Sequence, residues 1–99
     1  MSEVYLSDAV VGYIYALVAA TRSHAMIQTG LSTRAAINLA QAARAAAFLE
    51  GRDFVAPEDV KGIAAAVCSH RLVMRPEHEA VRRGELLRTL ISDIALPLV

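Results

Sequence analysis

The stretch Thr29-Gly30-Leu31-Ser32-Thr33-Arg34-Ala35-Ala36 puts an arginine where an alanine-rich helix is due to begin. Ser32 is a good N-cap, so Arg34 falls at the second helical position. The unpaired N–H groups and the positive end of the helix dipole favour an anion there and oppose a cation. Two accounts of the charge follow. Either Arg34 extends into water or pairs with an acid such as Asp8 or Glu58, or it serves an anion. A guanidinium that stays charged and offers two parallel donors suits phosphate oxygens.

Other chemistry-bearing residues give weaker signals. Cys68, His70 and His78 form a Cys-x-His with one distant histidine, which lacks the spacing of zinc ligands, and no metal site is expected from them. Cys68 adjoins the apolar positions Val60, Ile63 and Val67 and reads as a small core residue. His24 is placed to cap the end of the first helix. Arg82, Arg83 and Arg88 make a basic cluster without interleaved aromatics, more consistent with a solvated face or a neighbouring subunit than with nucleic acid.

Composition limits the alternatives. The chain has 99 residues, 56% of them hydrophobic, enough for one compact core and a single domain over 1–99. Ten Lys and Arg balance ten Asp and Glu, so no broad electrostatic footprint for nucleic acid or an anionic membrane is present. The apolar runs AVVGYIYALVAA and AARAAAFL are shorter than the roughly 20 residues of a bilayer span, and the start Met1-Ser2-Glu3 lacks a basic signal-peptide region. A cytoplasmic location is expected, and the single cysteine fits a reducing compartment.

Four helices are predicted to position these residues. The first spans about Asp8 to Arg22 with Ser7 as cap, and Val11, Ile14, Tyr15 and Val18 recur at helical spacing as its buried face. The second runs from Ser32 to about Glu50, ended by Gly51. Its stripe Arg34, Asn38 and Gln41 is polar, while Ala36, Leu39, Ala43 and Ala46 lie opposite and admit a close neighbour. The third starts at Pro57, with Glu58 and Asp59 at the positive end of its dipole, and reaches about Ser69. The fourth spans about Glu85 to Ala95, with Leu87, Leu90, Ile91 and Ile94 on one face. Phe54-Val55 and Leu72-Val73 are the candidates for a minimal two-strand contact. The fold class is all-α, a small four-helix bundle.

Several motifs, taken together, resemble the C-terminal lid subdomain of MoxR-type AAA+ ATPases. They are Thr21-Arg22, Gly30-Leu31-Ser32-Thr33-Arg34-Ala35, Gly51-Arg52-Asp53-Phe54-Val55, Pro57-Glu58-Asp59-Val60 and His70-Arg71-Leu72, in that order, over roughly residues 3–74. Two positions depart from the pattern. Thr33 stands where the family often has proline, and Ala56 stands where a Ser or Thr would cap the third helix, a loss of about 1 kcal/mol. Arg22 and Arg52 belong to the pattern without an evident role, and ion pairing is the plain expectation for both.

The resemblance implies that Arg34 is the sensor-two residue, catalytic and facing the γ-phosphate of ATP bound by a core domain. It also implies ATP and Mg²⁺ as cofactors of the parent protein, with none bound by this segment. No G-x-x-x-x-G-K-[ST] loop occurs in the sequence, so the phosphate-cradling core is expected upstream and no ATP hydrolysis from this segment alone. Implied partners are that core, neighbouring subunits of a homo-oligomeric ring and a von Willebrand A domain protein, with neither nucleic acid nor membrane. The implied function is a lid that couples nucleotide state to subunit movement in a chaperone-like ATPase. The alternative is a stand-alone helical interaction module that takes a partner helix in an alanine-lined groove.

Overall fold

Two serines set the starts of the first two helices in a computed structural model that describes residues 4–97. Helix α1 (Asp8–Ser23) opens on Ser7, whose hydroxyl accepts from the Val10 N–H, and α2 (Thr33–Leu49) on Ser32, whose hydroxyl accepts from the Ala35 N–H. Each hydroxyl thereby satisfies a donor that the helix itself leaves unpaired. After α2 the chain turns through Gly51, whose φ of 79° is left-handed and suits a residue without Cβ.

Pro57 opens α3 (Pro57–Cys68), as its missing N–H and fixed φ predict. Ala56 offers no capping oxygen, but the Asp59 carboxylate accepts from the Ala56 N–H at 2.7 Å, which supplies the acidic half of a capping box. The fourth helix, α4 (Arg83–Asp93), begins and ends two residues ahead of the predicted Glu85–Ala95. Its first turn is anchored by Arg83, whose guanidinium donates to the Leu72 carbonyl, and the chain is already extended at Ile94.

The strand contact exists, with different partners from those predicted. Strand β1 (Ile27–Thr29) pairs antiparallel with β2 (Val73–Met74), matching Ile27 to Met74 and Thr29 to Val73 across an irregular register. Arg75 fastens the pair: its N–H donates to the Met26 carbonyl at 3.0 Å and its Nε to the Ala25 carbonyl at 2.9 Å. Phe54 makes a parallel bridge with Tyr5 instead, whose N–H donates to Asp53 and whose carbonyl accepts from Val55. Segments of two or three residues carry too little alternation to specify a partner, so long-range closure decides the pairing.

Helix α2 lies at the centre, packed most extensively on α3 and also on α1. Its buried stripe is Ala35, Leu39, Ala43 and Ala47, an i, i+4 ridge, while the predicted Ala36 and Ala46 are only half-buried. The face of α1 is also rotated from the prediction. Val10, Tyr13, Ile14, Leu17, Val18 and Thr21 are buried, whereas Val11 is exposed and Tyr15 is 70% exposed. With no charged residue between Asp8 and Arg22, α1 is apolar all round and its period alone does not select a face. Val60, Ala64 and Cys68 of α3 and Leu87 and Ile91 of α4 complete the core. Cys68 is a core residue as predicted, and its burial pushes the thiol pKa up. Among the described residues, no helix is long and apolar enough to cross a membrane.

Candidate functional site

The turn that presents Arg34 is held by the last turn of α1. The Thr21 hydroxyl donates to the Val18 carbonyl at 2.7 Å and accepts from the Leu31 N–H at 3.0 Å, with both bonds buried. Arg22 Nε donates to the Leu31 carbonyl at 2.9 Å. Adjacent residues of α1 thus satisfy both backbone polar groups of Leu31, whose side chain is itself buried. Gly30 makes that approach possible: a Cβ there would lie 2.7 Å from the Arg22 backbone nitrogen.

Ser32 follows directly and caps α2, so Arg34 leaves a rigid start fixed by Thr21, Arg22, Gly30 and Leu31. Its side chain is exposed and, among the described residues, makes no hydrogen bond or ion pair. Asp8 and Glu58, the acids expected as possible partners, do not pair with it; the one ion pair among the described residues joins Arg52 to Asp59. Asn38, half-buried, and Gln41, exposed, continue the polar side of α2. An apolar groove of about 240 Å³ runs between α1 and α2, lined by Ile14, Val18 and Ala36 together with Tyr15, Arg22 and Thr33, but not by Arg34. An unpaired guanidinium on a fixed helix start can hold an anion delivered from outside the chain.

Among the described residues Arg22 has no ion-pair partner, contrary to the simplest expectation for it; it donates to a backbone carbonyl. Arg52 does pair, through both prongs with Asp59 at 2.7 Å each, and its guanidinium carbon lies 5.7 Å from the centre of the Phe54 ring. This pair joins the Gly-Arg-Asp-aromatic motif to the Pro-Glu-Asp motif. Asp59, expected only to complement the dipole of α3, also pairs with Arg52 and caps the helix; an acid three residues after an uncapped helix start carries the capping-box signal.

The remaining candidates are dispersed. Cys68 is buried at the end of α3, while His70 is exposed in a 3-10 turn (Ser69–Arg71) and His78 is half-buried in a second one (Pro76–His78). Among the described residues no three His, Cys, Asp or Glu side chains gather as a metal set. His24 occupies the C-cap position of α1 but does not bond the helix carbonyls as a cap would; its Nδ1 instead accepts the Met26 N–H of the following turn at 3.1 Å. The arginine cluster is divided, because Arg83 is committed to the Leu72 carbonyl while Arg82 and Arg88 are exposed.

Comparison with known proteins gives a consistent result. The family described as AAA lid domain matches residues 19–90. Protein MoxR of Paracoccus denitrificans is 43% identical over 67 residues, 68% of this chain and 20% of that protein. Chaperone MoxR1 of Mycobacterium tuberculosis is 30% identical over 106 aligned positions, 96% of this chain and 28% of that protein. A crystal structure from Cytophaga hutchinsonii, provisionally described as an ATPase, superposes with a TM-score of 0.90 at 36% identity, covering 97% of this chain and 32% of that one. The chain therefore spans less than a third of each of these relatives.

Proposed function

The chain belongs to the AAA lid domain family and is a lid of the MoxR type of AAA+ ATPase, and from that premise we propose that Arg34 is its sensor-two arginine. In this proposal the guanidinium reaches the γ-phosphate of ATP held with Mg²⁺ by the core domain of the parent ATPase. The observation that carries the proposal is the pairing of a rigid mount with a free charge. Two side chains and a glycine fix the turn before Arg34, while Arg34 itself has no partner among the described residues. A guanidinium already in place costs no reorganisation when charge accumulates on the transferring phosphoryl group.

The lid moves with the nucleotide, and the clamp between Thr21, Arg22 and Leu31 passes that motion to α1 and through the core contacts to α3 and α4. In the assembled protein the lid works beside neighbouring subunits of a homo-oligomeric ring. A von Willebrand A domain protein is the partner to test first, and a chaperone role is supported by the name of the M. tuberculosis relative. A lid of this kind supplies no phosphate-binding loop and is inactive by itself.

The module alternative loses its proposed surface. Ala35, Ala43 and Ala47 are fully buried by the chain's own helices, so this face of α2 is not open to a partner helix. The test is ATP turnover of the full-length protein with Arg34→Ala. A fall of about 10²-fold with fold and assembly intact is expected, and wild-type turnover would overturn the assignment.

A further inference from the structure

Arg22 stands apart from the other groups that hold the turn before Arg34. The Thr21 side chain is fully buried, as are both of its hydrogen bonds, so it belongs to the core. Arg22 is exposed, and its Nε bond to the Leu31 carbonyl is only partly shielded from water. A bond of that kind adds little to folding, because water readily replaces it. Its importance lies in the group it holds.

Each peptide unit is planar, so the path of the chain through a residue is set by the planes on either side of it. At Leu31 the plane that carries the N–H is held by Thr21 at 3.0 Å, and the plane that carries the C=O by Arg22 at 2.9 Å. The second plane leads directly into Ser32. There the hydroxyl accepts the Ala35 N–H and the carbonyl accepts the Ala36 N–H, each at 3.1 Å, which locks the first turn of α2 around Arg34. The Arg22 bond is therefore the link that ties this turn to α1 on its Ser32 side. The Arg22 side chain also lines the α1–α2 groove with Thr33, the residue before Arg34.

We propose that Arg22 is a positioning residue for ATP turnover: its Nε, by holding the Leu31 carbonyl, aims Arg34 at the γ-phosphate, a role that rests on the sensor-two reading of Arg34. Displacement of a reacting group by about 1 Å can cost about 10²-fold in rate, so a bond of small value to folding can have a large value to the reaction. The Nη nitrogens of Arg22 make no hydrogen bond or ion pair among the described residues, and the role does not need them.

The experiment measures steady-state ATP turnover of the full-length ATPase. Arg22→Met keeps an apolar stem against the groove and loses the donor. Arg22→Gln places an N–H at the same number of bonds from the backbone as Nε, and loses the charge and the Nη pair. Arg22→Met is expected to lower kcat at least about tenfold with KM within about twofold of wild type, and Arg22→Gln to stay within about threefold of wild type in both. In an Arg34→Ala background, Arg22→Met is expected to have no further effect, because a residue that acts only through Arg34 has nothing left to aim. A merely structural role lowers turnover by the same factor in both backgrounds, and a direct contact of the Nη pair with phosphate makes Arg22→Gln as slow as Arg22→Met. Either result overturns the positioning role, as does an Arg22→Met protein that turns over ATP like wild type or, by its melting curve, no longer folds. Wild-type turnover in Arg34→Ala alone is a distinguishable result, and overturns the sensor-two reading itself.

Discussion

Arg52 and Asp59 meet through two parallel hydrogen bonds of 2.7 Å, and the same Asp59 carboxylate accepts the Ala56 N–H at 2.7 Å. One side chain therefore closes the loop between α2 and α3 and caps α3 where Ala56 offers nothing. The hydrogen bonds from Arg52 hold the Asp59 carboxyl below its ordinary pKa; burial works against them, and the Ala56 N–H adds to them. Arg52 is held correspondingly more basic by the same bonds.

Replacement of Asp59 by alanine removes both the loop closure and the cap, with an expected loss of about 1–2 kcal/mol. The pH dependence follows from the direction of the shift. A carboxyl more acidic in the folded than in the unfolded chain contributes fully above its unfolded pKa of about 4, and the contribution is lost as pH falls through the lowered folded value. Melting temperature should therefore drop less between about pH 6 and about pH 3 in Asp59→Asn, which does not titrate, than in wild type. Equal drops would show that Asp59 is not linked to folding.

The clamp on Leu31 gives a second expectation. Gly30→Ala places a methyl group 2.7 Å from the Arg22 backbone nitrogen and should destabilise the chain by about 1–3 kcal/mol through strain. Thr21→Val preserves shape but leaves the buried Leu31 N–H without its acceptor, again costing about 1–3 kcal/mol. Chemical denaturation of both variants measures this. If both melt like wild type, the clamp does not fix the turn.

What the sequence revealed, and what it concealed, follows from the range of the forces involved. The caps Ser7 and Ser32, Pro57 at the start of α3 and Gly51 after α2 were legible because each acts within three or four residues of itself. The strand pairing was not, since Thr29 meets Val73 only when the whole chain closes. The buried face of α1 was ambiguous because its uncharged surface offers two apolar sides, one of which, with Tyr15, faces outward. Arg34 stands out in the sequence as a charge opposed to the helix dipole, and the structure places it exposed at the start of α2. Arg22 and Thr21 were visible only as part of a motif, because their work is to hold a backbone segment that the sequence places nine and ten residues away.

Thr33 bears on the rigidity of the same turn. It is the first residue of α2, its N–H makes no hydrogen bond among the described residues, and Ser32 before it has φ of −84° and ψ of 169°, the extended conformation that precedes proline comfortably. Thr33→Pro should stabilise the chain by about 0.4–1 kcal/mol by restricting the unfolded state. A lower melting temperature would mean that the Thr33 side chain, which edges the α1–α2 groove, makes contacts more valuable than the entropy gained.

The sharpest test of Arg34 keeps its charge and changes its shape. Lysine at this position retains a cation on the same helix start but loses the planar fork that can meet two phosphate oxygens at once. If Arg34 stabilises charge on the transferring phosphoryl group, Arg34→Lys in the full-length ATPase should recover part of the turnover lost in Arg34→Ala and stay well below wild type. Because the side chain is exposed and unpaired among the described residues, neither substitution should move the melting curve appreciably. A surface arginine gives a different pattern, with all three proteins turning over ATP within about twofold of one another. If lysine restores full turnover while alanine does not, the site needs only positive charge, and the two-donor geometry assigned to Arg34 is wrong. Steady-state turnover at saturating ATP, measured with sedimentation to confirm equal assembly, separates these outcomes.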